Sequence, residues 1–126
     1  MQILDVLSDK SIQTSLTATE KMGLLEELTL PMAQITHIAQ RDLLRVLLER
    51  ERLGSTGIGG GIGIPHGKVT GLETPLLGFG ISHPGVDFDA IDQQPVHLFF
   101  ILLTPSNATG THLGLLARIS RLLKDY

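Results

Sequence analysis

The chain contains no cysteine among its 126 residues. That excludes a disulfide framework and any zinc site built on thiolates, and it fits a reducing cytoplasm. Basic charge is not in excess either. Ten Lys and Arg face 13 Asp and Glu, for a net charge of −3. A protein whose main partner is nucleic acid usually presents a basic face, so none is expected as a partner here. Long apolar runs are also missing. The longest, Leu98 to Leu103, is far below the roughly 20 residues that a membrane-spanning helix needs, so direct membrane insertion is not expected. The opening residues, MQILDVLSDKS, have no basic stretch followed by an apolar one and do not read as a signal peptide. There is no internal repeat, and no low-complexity linker beyond one glycine-rich stretch. What remains is an ordinary globular composition, 42% hydrophobic and 18% charged, and a length that suits one domain over residues 1–126.

Periodicity gives the elements. A short turn opens the chain, and an extended piece follows from Ser11 to Leu16. Thr17 and Glu20 stand at capping-box spacing, which predicts a helix towards Leu30 that Pro31 ends or kinks. A second helix fits Gln40 to Leu53, with Gly54 just past its end. Residues 62–64, 76–82 and 96–104 read as strands, the last almost continuously apolar and therefore central. Thr111 to Asp125 reads as a final helix. Helices on both sides of strands predict a single three-layer α/β/α sandwich with a mixed sheet.

Between the second helix and the first of these strands lies GSTGIGGGIGIPHGK, residues 54–68, in which seven of fifteen positions are glycine. Such a segment is costly to order, yet it delivers one histidine, His66, held between Pro65 and Gly67. The nucleotide-binding motifs fail here. A P-loop needs glycine five places before its Gly-Lys pair and a hydroxyl after it, but Ile62 and Val69 stand there. A dinucleotide loop needs glycine at i, i+2 and i+5 after a strand. From 57, 59 or 61 the third position is Ile62, Ile64 or His66. There is no His-Glu-x-x-His zinc motif. His66 is left as a surface group whose chemistry could be nucleophilic, acid–base or ligating, or which could be a turn histidine without a role.

Two polar groups on apolar faces change that weighting. With Leu43 at 0° and 100° per residue, Arg50 falls at about 340° and Glu51 at about 80°, inside the apolar arc, whereas Arg52 falls at about 180° among the solvent-facing charges. Arg50 either snorkels from a helix end or is aimed at an anion, which its forked, permanently charged donors suit. On the last helix, with Leu113 at 0°, His112 falls at about 260°, in the middle of the apolar arc and in the first turn. It is either a satisfied core histidine or a donor beside the free amides of a helix start. His37, His83 and His97 lie in a connector, a turn and a strand, and carry less weight. His66, Arg50 and His112 together suit a phosphoryl group, with one nitrogen to carry it and two donors for its oxygens.

ERERLGSTGIGGGIGIPHGK, GVDFDAIDQQPVHLFFILLTP and THLGLLARISRLL resemble the IIA domains of the bacterial phosphoenolpyruvate-dependent phosphotransferase system, type 2 (fructose/mannitol), and within them the nitrogen-regulatory branch. The likeness runs from about residue 5 to the end. It implies a cytoplasmic phosphoryl-transfer protein with a mixed sheet flanked by helices and no metal or organic cofactor. It implies that His66 accepts a phosphoryl group from the phosphohistidine of HPr or its nitrogen-branch relative, with Arg50 and His112 as the other catalytic residues. A IIB domain or regulatory targets are the further partners it suggests. A sugar-specific IIA component, or a binding module of the same fold without phosphotransfer, are the alternatives. Two departures stand out. The family usually has alanine at the position of Gly63, which implies a looser approach to His66 at little functional loss. Members also normally continue by about one further helix beyond the position of Tyr126, and lack of that helix would expose apolar surface.

Overall fold

The most apolar segment of the sequence forms the central strand of a mixed sheet. The computed structural model describes residues 3–124. Its elements are α1 (Ile3–Val6), β1 (Leu7–Gln13), α2 (Lys21–Thr36), α3 (Gln40–Arg52), β2 (Gly57–Gly59), β3 (Ile62–Gly63), β4 (His66–Val69), β5 (Leu76–Val86), β6 (Val96–Pro105) and α4 (Thr109–Lys124). The strand order is β1-β5-β6-β3-β2, and β4 also pairs with β6. β5 runs antiparallel to β6. β1 joins β5 in parallel, and β3 and β4 both join β6 in parallel.

Alternation along β6 separates two cores, because successive side chains of a strand face opposite ways. Phe99, Ile101 and Leu103 pack with Leu24, Leu25, Leu28 and Met32 of α2 and Leu43 and Leu47 of α3. Leu102 packs on the other face with Ile64, Leu77 and, from α4, Leu115 and Ile119. Each of these fully buried large side chains contributes about 1.5–3 kcal/mol relative to exposure. The expected three-layer α/β/α sandwich is thus what forms.

Local signals were overridden at three places. Glu20, not Thr17, is the N-cap of α2. Its own carboxylate accepts from the amides of Met22 at 3.0 Å and Gly23 at 2.7 Å. The amide of Thr17 is instead held by Glu27 at 2.9 Å. Pro31 does not end the helix, which continues to Thr36 and stops at His37 in the left-handed conformation. A proline removes the N–H that would bond the carbonyl four residues back. That carbonyl, Glu27 O, accepts Nε2 of Gln13 from β1 at 2.9 Å, so no acceptor is stranded. Finally, α4 begins at Thr109, two residues before the expected start, and only part of its apolar arc is covered. Leu115 and Ile119 are buried, whereas Leu113 and Leu122 are more than half exposed. Asp125, the expected end of that helix, lies outside the described residues.

Candidate active site

The glycine stretch is a hairpin followed by a split strand. β2 and β3 pair antiparallel, and the turn between them sets Gly59, Gly60 and Gly61 at φ of 96°, 66° and 80°. Three consecutive left-handed residues strongly favour glycine. The amide of Gly60 is occupied by Asp92, at 3.0 Å. Gly67 serves a different need, since a Cβ there would stand 2.3 Å from Cγ1 of Val46 on α3. The glycines therefore shape a turn and let a helix lie close on a strand. Gly63 is of this packing kind as well. Its missing Cβ would meet the Phe99 ring at 3.2 Å and Val96 at 3.3 Å. The looseness expected towards His66 is directed at the core instead.

β3 and β4 lie end to end along β6, with Ile62 opposite Leu98 and His66 opposite Leu102. The interruption is Ile64-Pro65. The Pro65 carbonyl still accepts from the amide of Leu102 at 3.0 Å, which keeps the broken strand in place. Among the described residues β4 pairs with β6 alone. An edge strand is where side chains from both helical layers can reach one residue, and His66 begins it.

Arg50 arrives from one layer. Val46 of α3 packs over Gly67, and Arg50 lies one turn further along the same row. Its Nε donates to Nε2 of His66 at 3.2 Å, and its Nη1 donates to the Gly54 carbonyl at 2.9 Å. Arg52 is exposed. His112 arrives from the other layer, in the first turns of α4. Its ring centroid is 5.5 Å from that of His66. The three side chains singled out in the sequence thus converge, and both wheel positions point the way the structure has them. His83 and His97 are engaged elsewhere, on the carbonyls of Thr14 and Ser82.

The tautomer of His66 follows from its partners. Nδ1 donates to the Ile64 carbonyl at 2.7 Å, so the lone pair is on Nε2, where the Arg50 donor meets it. His66 is half-buried, and burial lowers its pKa below the usual imidazole value. The Ile64 hydrogen bond raises it in part, the Arg50 charge lowers it again, and Glu51 raises it. The pKa of His112 is brought down to about 4, by burial first, then by His66 and Lys68. Both rings are therefore neutral at pH 7. His66 thus presents the Nε2 lone pair that accepts from Arg50, and a neutral His112 can donate from one nitrogen only.

Three groups were missed by sequence reasoning. Glu51 is buried at 8% exposure. Its carboxylate accepts the amide and hydroxyl of Thr56 and pairs with Lys21 at 3.1 Å. This ties the residue after Arg50 to the start of the glycine stretch. Its place inside the apolar arc was the signal. Thr104, fully buried on β6, bonds His112. Lys68, on β4, reaches Thr109 at the start of α4. Neither left a mark in periodicity.

Residues 5–126 match the family described as the phosphoenolpyruvate-dependent sugar phosphotransferase system, EIIA 2. The chain belongs to that family. Among EIIA type 2 relatives, a nitrogen regulatory protein of Bradyrhizobium diazoefficiens is 42% identical, over 99% of this chain and 82% of its own length. The fructose-specific EIIABC component of Bacillus subtilis is 36% identical over 98% of this chain, which spans 20% of that larger protein. The crystal structure of the nitrogen regulatory protein IIA-Ntr from Neisseria meningitidis superimposes with a TM-score of 0.85 at 38% identity. That match covers 90% of this chain and 78% of that one. The EIIA fold expected from the sequence is the fold observed. No described helix is long and apolar enough to cross a membrane.

Proposed function

We propose that this EIIA domain accepts a phosphoryl group on Nε2 of His66 from the phosphohistidine of HPr or its nitrogen-branch relative, and that it acts mainly as a regulator in the cytoplasm. The observation that carries the reading is the His66 tautomer. One ring nitrogen is tied to the Ile64 carbonyl, and the other holds its lone pair towards the charged donor of Arg50. In the step, the Nε2 pair forms a bond to phosphorus. The bond from phosphorus to the carrier's nitrogen breaks, and its electron pair stays with the carrier. The Arg50 donor leaves Nε2 as the phosphoryl group arrives and turns to its oxygens. His112, 5.5 Å away ring to ring, supplies a second donor. A fixed cation and a neutral donor suit charge spread over three equatorial oxygens. Every group the step uses is a side chain of one of the two proteins.

The regulatory role is favoured by the likeness to nitrogen regulatory proteins over nearly the whole chain. A sugar-uptake role, with the phosphoryl group passed on to the cysteine of a IIB domain, is the second reading. It draws on the 36% identity to a fructose-specific component that carries A, B and C domains in its name.

The test is incubation with phosphoenolpyruvate, enzyme I and each candidate carrier, followed by mass measurement and site mapping. One phosphoryl group, acid-labile and alkali-stable, should map to His66. A label on another residue would end the assignment. Onward transfer to a IIB domain at the rate of the first step would favour sugar uptake over regulation.

A further inference from the structure

Thr104 is fully buried on β6, on the sheet face that carries α4. Its hydroxyl has one hydrogen-bond partner among the described residues, Nδ1 of His112. Two arrangements are conceivable. If Nδ1–H donated to the hydroxyl, the hydroxyl's own proton would be buried with no acceptor. If the hydroxyl donates to Nδ1, nothing but a spare lone pair is left over. An unmade buried donor is the costlier of the two, so the second holds. No buried side-chain nitrogen or oxygen among the described residues lacks a partner. Nε2 of His112 has none, and it is therefore open to the surface of the site.

We infer that Thr104 is a positioning residue, whose hydroxyl donates to Nδ1 of His112 and keeps that ring's proton on Nε2, where it can reach the phosphoryl oxygens. The two histidines are then held in opposite tautomers by two fixed partners. Ile64 takes the proton of His66 at Nδ1 and leaves Nε2 as nucleophile. Thr104 fills the lone pair of His112 at Nδ1 and leaves Nε2–H as donor. Without such a partner a neutral imidazole samples both tautomers, and in one of them the ring turns a lone pair towards the incoming anion. The low proton affinity of His112 fits a ring that donates while neutral. The catalytic consequence rests on His66 being the phosphoryl acceptor, whereas the tautomer itself does not.

The experiment is nitrogen-15 NMR of histidine-labelled protein, paired with phosphoryl acceptance from the carrier. In the wild-type chain Nδ1 of His112 should show the shift of an unprotonated, hydrogen-bonded nitrogen, and Nε2 that of a protonated one. Thr104→Val keeps the buried shape and removes the hydroxyl. It should displace the Nδ1 resonance and lower the maximal transfer rate about two- to tenfold. The carrier concentration at half-maximal rate should stay constant, because Thr104 is buried beneath the ring. Thr104→Ser should restore both the resonance and the rate. A wild-type spectrum with the proton on Nδ1, or a Val variant with an unmoved Nδ1 resonance, overturns the tautomer assignment. A displaced resonance with an unchanged rate overturns the positioning role. A wild-type chain that accepts no phosphoryl group fails the proposed function instead, and the spectrum still decides the tautomer.

Discussion

His66 and His112 are the same side chain in two settings. One begins an edge strand, is half-buried, and rests its Nδ1 on a backbone carbonyl two residues away. The other sits in the first turns of a helix, is 6% exposed, and meets a hydroxyl eight residues away. Burial is the first cause that lowers the pKa of each ring, and with His66 and Lys68 it brings His112 down to about 4. What separates them is the partner at Nδ1. A carbonyl can only accept and so selects Nδ1–H, whereas a buried hydroxyl that must place its proton selects the opposite tautomer. The contrast teaches that a histidine's chemistry is assigned by the group behind the ring as much as by the group in front of it.

The strongest break of this comparison is His66→Ala, which should abolish phosphoryl acceptance while His112→Ala does not. Acceptance by the His66 variant at the normal rate, read by mass, would make the two rings interchangeable and the assignment wrong. Next comes Arg50→Ala, which removes the charged donor now resting on Nε2 of His66. Losing such a hydrogen bond should cost about 1.5–3 kcal/mol in the transfer barrier, roughly 10- to 150-fold in rate. Arg52→Ala, on the solvent side, is the control and should leave the rate unchanged. Equal losses at both positions would remove the geometric argument.

His112 tests its own setting twice. His112→Ala should slow transfer per folded molecule, and His112→Gln, which keeps an amide donor, should recover part of the rate. A melting-temperature loss with an unchanged rate would reduce the residue to core. The pH profile gives the second check. The folded pKa of about 4 lies below the ordinary value of about 6.5, so between these values the unfolded chain binds the extra proton. Stability from this group is then fully present above about pH 6.5 and is lost as pH falls towards 4. Denaturant unfolding across that window should show a shallower slope for His112→Gln than for the wild type.

The smallest effect is expected at Gly63→Ala. The added methyl needs a few tenths of an ångström from Phe99 and Val96, while the unfolded chain loses freedom. Gly63 is not in the left-handed region, so no backbone strain enters. The net change in stability should stay within about 1 kcal/mol, with transfer unaltered. A large rate change would mean that Gly63 acts on His66 directly.

Much of this was legible in the chain itself. The apolar run of β6 marked the central strand, and helical periodicity turned Arg50 and His112 inward and Arg52 outward. The quoted motifs carried the family. All of these are local, since a period of 3.6 or 2 is written in neighbouring residues. The capping of α2 by Glu20 was not legible, and at Pro31 the sequence left open whether the helix ends or goes on. Each depended on a partner far along the chain, Gln13 for the carbonyl freed at Pro31 and Glu27 for Thr17. The same holds at the site. Periodicity could say that Arg50 and His112 leave solvent, but not that they approach one residue from opposite faces of a sheet. That meeting exists because β4 is an edge strand, open to both helical layers. Thr104 and Glu51 follow the same rule. Sequence spacing records which way a side chain turns, and only the packed sheet decides what it finds there.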